Sequence, residues 1–188
     1  MRRMVKTLIV AAAVLAATPM QASADDFVNF WIGRQTSNMT TDGREAFGLT
    51  AGGMGTGLVG GEIDFGYSPS FFGTQDDFGH NRMMNVMANV LVGAPIGNAH
   101  GAGGIRPFVR FGAGLIRTQI DGGNVFNVSS SENHIGWDIG GGIMGFMSQH
   151  AGLRGDITYF RNMNGNVVNG LDLGALHFWR LSAGLVLR

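Results

Sequence analysis

Seven charged residues are spaced so that they could share one site: Glu62, Asp64, Arg110, Asp138, Arg154, Asp156 and Arg180. Each lies in a run that alternates with a period of two. Ile135, Trp137, Ile139, Gly141 and Ile143 fall on one face, and Gly136, Asp138, Gly140, Gly142 and Met144 on the other. After a short polar turn at Ser148–Gly152, Leu153, Gly155, Ile157 and Tyr159 resume the first face while Arg154, Asp156, Thr158 and Phe160 take the second. That period belongs to strands, and two strands about a short turn make an antiparallel hairpin. Here the large apolar side chains and the charges occupy opposite faces, and the charges sit among glycines. A barrel in lipid has this pattern, apolar outside and polar within. Four carboxylates and three guanidiniums can pair almost completely, and buried charges persist when paired. An eight-stranded lumen is just wide enough for side chains to fill. The chemistry expected of the seven is therefore an ion-paired plug that closes the lumen. The alternative is a narrow, porin-like path for ions or small solutes lined by the same residues.

Other chemistries find less support. Gly55–Gly60 (GTGLVG) matches a dinucleotide-binding spacing, but that motif must precede a helix, and Glu62–Tyr67 alternates as a strand. The five histidines, at 80, 100, 134, 150 and 177, show no paired ligand spacing, so no metal is expected. A lipid-modifying enzyme would need a His and a Ser together near the outer rim. His177 is placed on the lipid side and Ser182 on the lumen side, a poor geometry for base and nucleophile. No catalytic residue and no cofactor is expected.

The elements that must position the seven charges follow an amino-terminal leader. Arg2, Arg3 and Lys6 precede the apolar run Leu8–Ala17, and Ala22-Ser23-Ala24 ends it in small residues. This is the pattern of a secretory signal peptide, cleaved after residue 24 and routed through the Sec pathway. Residues 25–188 then form one domain. The leader holds three of the 13 basic residues and no acid, which leaves ten arginines against 13 acids, a net charge of about −3. A mildly acidic chain does not make a nucleic-acid footprint. Cysteine is absent, so no disulfide framework or lipid anchor through Cys is available. Past the leader no apolar run approaches the ~20 residues of a membrane helix, and only a closed barrel satisfies strand backbones in lipid.

Eight strands are expected. They are Asp26–Arg34, Arg44–Gly57, Glu62–Tyr67, Arg82–Gly93, Ile105–Thr118, the two arms of Ile135–Arg161, and Leu171–Arg188. Leu58–Gly61, Ala94–Gly104 and Ser148–Gly152 read as short connections. Gln35–Gly43, Ser68–Asn81, Gln119–Asn133 and Asn162–Gly170 read as longer loops. Short periplasmic turns and longer external loops place both termini in the periplasm. Tyr67, Trp137 and Tyr159 then fall on the lipid face at the outer ends of their strands, as an interfacial aromatic belt. Phe71, Phe72 and Phe78, in the second loop, either pack on the rim or form a patch for a partner or for lipopolysaccharide.

The segments EIDFGYSPSFFG, VLVGAPIG, RPFVRFGAGLIR, IGGGIMGFMSQHAGLRGDITYFR and FWRLSAGLVLR, taken in order, resemble the bacterial outer-membrane β-barrel-domain family of the opacity-porin and OmpA-like group. The resemblance runs from about Phe27 to Arg188. It implies an all-β, eight-stranded antiparallel transmembrane barrel in the outer membrane of a Gram-negative bacterium, with no family-wide catalytic residues. It also implies outer-membrane lipid, lipopolysaccharide and the barrel-assembly machinery as partners, with an unknown surface ligand possible through the outer loops. Such chains usually finish on an aromatic residue, whereas this one finishes Leu187-Arg188. The role expected is structural or surface-interacting, with a closed lumen.

Overall fold

Runs of β-branched and aromatic residues on one face only cannot be buried against a soluble core from both sides, and here they close on themselves. A computed structural model describes residues 26–37, 43–54, 58–71, 80–97, 103–121, 130–163, 167–168, 171–172 and 176–188. The strands are β1 (Asp26–Ser37), β2 (Arg44–Gly53), β3 (Val59–Pro69), β4 (His80–Gly93), β5 (Ile105–Asp121), β6 (Ser130–Phe146), β7 (Ala151–Asn162), β8 (Val167–Val168), β9 (Leu171–Asp172) and β10 (His177–Leu187). Eight of them form a closed antiparallel barrel in the order β1-β10-β7-β6-β5-β4-β3-β2. The first and last strands seal it, with Val28 opposite Leu187 and Ser37 opposite Phe178. No sheet edge is left open to lipid, the condition for strands to cross a bilayer. The expected fold class is the observed one. The leader lies outside the described residues.

Burial follows the alternation. Ile32 on β1 is 73% exposed and Leu181 on β10 64%, while Asp64 and Arg110 are 0% and 1% exposed. The outer wall is apolar, and the charges are inside. Two apolar clusters cap the lumen. At the end where β1 begins and β10 finishes, called the terminal end below, Phe27, Met54, Leu91, Phe108, Met144, Phe146 and Val186 pack together. At the opposite, loop end, Phe71, Met83, Met87, Ile116, Phe160, Leu176 and Phe178 do the same.

Several strand limits differ from those expected. β1 continues past Arg34 to Ser37, and β3 begins at Val59, within the expected turn. β2 ends at Gly53 rather than Gly57. β4 starts at His80, and β5 and β6 run on to Asp121 and back from Ser130, taking both ends of the expected loop 119–133. β7 starts at Ala151, inside the expected turn Ser148–Gly152. Antiparallel hydrogen bonding does not need apolar side chains, so pairing continues into water where the lipid signal stops. The loop between β1 and β2 is therefore shorter than the 94–104 connection, where Gly97 and Gly103 take positive φ of 80° and 87°. The last expected strand is also divided. Leu171 pairs with Val168 and Asp172 with Val167, and the barrel strand begins only at His177. Asn169-Gly170 stands between the two pairs in sequence, the dipeptide that favours a two-residue hairpin. Residues 173–175 of the expected strand lie outside the described residues.

Candidate functional site in the barrel lumen

The structure brings all seven predicted charges together between the two apolar caps. Arg110 on β5 is the hub. Its Nη1 donates to Glu62 (2.8 Å), and its Nη2 donates to Asp138 (2.6 Å) and Asp64 (3.3 Å). Arg154 on β7 donates from Nη1 to Glu62 (2.7 Å) and from Nε to Asp156 (2.9 Å). Arg180 on β10 donates to Asp64 (2.7 Å). The pairs form one connected chain, Asp156–Arg154–Glu62–Arg110, which branches to Asp138 and to Asp64–Arg180. β7 and β3 are four strands apart either way round the barrel, so the Arg154–Glu62 pair spans the lumen's diameter.

The three remaining strands supply neutral donors. Trp31 Nε1 on β1 and Thr50 Oγ1 on β2 both donate to Asp64, at 3.2 and 2.9 Å. The Asn89 amide on β4 donates to Asp138. Ser182 and Thr158 hydroxyls donate to Asp156, at 3.0 and 3.3 Å. Every barrel strand thus contributes to one hydrogen-bonded layer. Burial of an ion costs several kcal/mol unless it is paired, and this layer pairs all seven charges across neighbouring and facing strands, leaving Arg110 Nε and Arg180 Nε and Nη1 without a partner among the described residues.

Guanidinium faces join the charged layer to the caps. Arg180 stacks over Trp31 (4.1 Å) and Phe160 (4.9 Å), and Phe160 stacks in turn on Phe178 (4.6 Å, 8° between planes). Arg154 stacks over Phe108 (4.5 Å) and Phe27 (5.9 Å). Such contacts strengthen when desolvated. Glycine makes the room. A Cβ on Gly142 would sit 2.6 Å from Asp156 Cβ, and one on Gly48 would sit 2.5 Å from the Trp31 ring.

Sequence reading missed the donors of the layer. Alternation along β1 and β4 turns Trp31 and Asn89 inward, but which acid each serves depends on strand register. Thr50 carries no signal of its own beyond its inward position. A further inward charge was also missed, Arg106, buried near the terminal end. The expected belt residues Tyr67, Trp137 and Tyr159 lie on the outer face near the loop end. Tyr159 joins Trp137 (5.7 Å) and Trp179 (5.0 Å), and Tyr67 meets Phe47 (5.4 Å). Phe47 and Trp179 extend the belt beyond the three expected. Phe71 is buried in the loop-end cap, edge-on to Phe178 at 5.4 Å, while Phe72 and Phe78 lie outside the described residues. Among the described residues no group of His, Asp and Glu could hold a metal ion. His134 contacts Glu132 at 3.1 Å, and His177 lies 6.1 Å from the Tyr159 ring on the lipid side.

The barrel fold recurs in solved structures. The chain is similar to Neisserial surface protein A, with a TM-score of 0.65 at 13% identity, over 88% of this chain and 97% of that one. It is similar to the attachment invasion locus protein Ail of Yersinia pestis, with a TM-score of 0.52 at 15% identity, over 87% and 97%. It is also similar to OprG of Pseudomonas aeruginosa, with a TM-score of 0.52 at 13% identity, over 88% and 96%. At such identities the likeness speaks for the fold. No curated protein matches by sequence. The family match covers nearly the whole chain, residues 8–186. This chain belongs to the outer membrane protein beta-barrel domain family, and its place is the bacterial outer membrane.

Proposed function

We propose that the protein is an envelope barrel with a closed lumen, acting through its outer wall and external loops rather than by conduction. The observation that carries this reading is the continuous ion-paired layer reaching from β3 to the facing β7, with an apolar cap on each side. A permeating ion would have to separate charges buried at 2.6–2.9 Å and then cross packed Phe and Met side chains. Each of those steps is costly in a low dielectric. Ser182 spends its hydroxyl on Asp156 inside, while His177 lies outside the wall, which supports a non-enzymatic reading. The surface role draws on likeness as well: a related Ail structure holds the heparin analogue sucrose octasulfate. A loop-bound ligand is part of the proposal for this chain.

One observation favours the channel as a second reading. The amides of Asn29 and Asn85, and Nε and Nη1 of Arg180, have no hydrogen-bond partner among the described residues. Buried groups of that kind hold internal water. Single-channel recording of the refolded protein in a planar bilayer separates the two. The closed reading expects no resolved openings in wild type. Discrete wild-type openings that change with Asp138→Asn would establish the channel instead.

A further inference from the structure

Pro69 interrupts the sheet at the loop end. The ladder between β2 and β3 runs from the Gly53–Gly61 pair to the Phe47–Tyr67 pair and stops there, although β2 begins at Arg44 and β3 continues to Pro69. Continued in register, Pro69 would face Glu45 and Ser70 would face Arg44. Proline has no N–H to give to a ladder, and within sheets it sits at strand edges and ends. Ser68 Oγ donates to the Glu45 carbonyl (2.7 Å) in place of a main-chain pair. Ser70 then leaves the strand with φ of 57°, its N–H donating to the Asn81 carbonyl (2.7 Å). The two strands part, and a cleft of about 430 Å³ opens, lined by Arg34, Arg44, Glu45, Pro69 and Ser70. That volume lies in the range of small-ligand sites.

The charges in this cleft are held in place but not spent. Arg34 lies over Gly43 and donates from Nε to its carbonyl (3.1 Å). A Cβ at residue 43 would fall 2.5 Å from that Nε, so the posture needs glycine. It leaves both Nη groups of Arg34 without a partner among the described residues, a planar fork that matches a carboxylate. Arg44 is half-buried, and its buried Nε has no partner there either. Glu45 stands opposite Arg34 in register, yet the two form no ion pair. Two guanidiniums and one carboxylate thus border a stretch where two strands lack each other as main-chain partners. A carboxylate suits the arginines, an ammonium suits Glu45, and amide groups suit the strand edges. Glu45 would repel a polyanion, and a free amino acid has no amide for the edges.

We propose that the cleft binds a short peptide with free ends, its terminal carboxylate on the Arg34 fork, its ammonium at Glu45 and its main chain along the parted edges of β2 and β3. Strand addition and capture of a terminal carboxylate are two general ways of holding a peptide, and the cleft offers both. The site rests on the loop-ligand part of the function proposed above and not on closure of the lumen.

Isothermal titration calorimetry of the refolded protein in micelles, its folding confirmed by a heat-dependent gel shift, tests this with trialanine, trialanine amide, N-acetyl-trialanine and free alanine. Wild type is expected to bind trialanine at least about tenfold more tightly than its amide, the worth of a charged hydrogen bond. The preference over the acetylated peptide is expected to be smaller, about threefold, as for an exposed ion pair. Arg34→Gln should erase the first preference and keep the second, and Glu45→Gln should do the reverse. Gly43→Ala keeps every charge but displaces the Arg34 fork, and should weaken trialanine about fivefold. Arg117→Gln, on the wall away from the cleft, should change nothing. Equal binding of trialanine and its amide would overturn the proposal, as would alanine binding as tightly as trialanine. No saturable binding below about 10 mM trialanine would do the same. Bilayer recording, not this titration, reads the lumen, so either reading can fail alone.

Discussion

Arg110 donates to three carboxylates, and all of them are buried. Its removal would leave Asp138 with only the neutral Asn89 amide as a donor. Breaking a buried pair from one side costs about 3–5 kcal/mol, because the remaining charge keeps its desolvation penalty. Arg110→Ala should lower the urea midpoint of the folded barrel accordingly, and Arg110→Lys should recover only part of the loss, since a compact ammonium carries its three donors on one atom and cannot span the separate carboxylates as the planar guanidinium does. A midpoint equal to wild type would place Arg110 outside the layer. Smaller residues matter by the space they leave. Gly48 sits against the Trp31 ring, which both donates to Asp64 and receives the Arg180 guanidinium. A Cβ there would also meet the Phe65 carbonyl oxygen, so Gly48→Ala should displace backbone and ring together and cost at least about 1–3 kcal/mol by overpacking, read in the same unfolding experiment.

At the scale of strands, what could be seen in advance was the alternation. Asp138, Arg154 and Asp156 declared themselves because each faces away from Ile, Trp, Leu or Tyr, and a two-residue period leaves no other side for them. Strand ends were not legible for the same reason. Gln119, Ser130 and Ser131 carry no lipid signal, yet β5 and β6 pair right through them. Which acid meets which base was also hidden, because it depends on register between strands far apart in sequence. Glu62 and Arg154 are 92 positions apart. The belt, too, is an inter-strand property. Tyr159 on β7 lies between Trp137 on β6 and Trp179 on β10, and cross-strand aromatic pairs each contribute roughly 0.5–1.5 kcal/mol beyond burial. Tyr159→Ala should therefore destabilise the barrel by about 2 kcal/mol, while Tyr159→Phe should stay within about 0.5 kcal/mol, because the ring makes the contacts. Equal losses in both would assign the effect to the hydroxyl.

For the whole molecule, three layers succeed one another along the lumen: an apolar cap at the terminal end, seven paired charges, and an apolar cap at the loop end. The outer wall reverses the arrangement, apolar at mid-height with aromatics and then arginines toward the loop end. Membrane insertion accounts for the wall, and charge pairing in a narrow barrel accounts for the filling. Both faces are written in the same strands by the two-residue period, which is why fold and lumen could be read together from the chain while the identity of a loop ligand could not.

The central claim is that side chains from opposite walls meet and hold one another, so that the lumen is filled. A double-mutant cycle on Arg154→Met and Glu62→Gln, read by urea unfolding in bilayers, tests it most directly, since β7 and β3 face each other across the full diameter. A filled lumen predicts a coupling energy of about 1–3 kcal/mol, as for groups in one network. Losses that simply add, to within about 0.5 kcal/mol, would mean that the two residues do not meet and that the lumen is open between them.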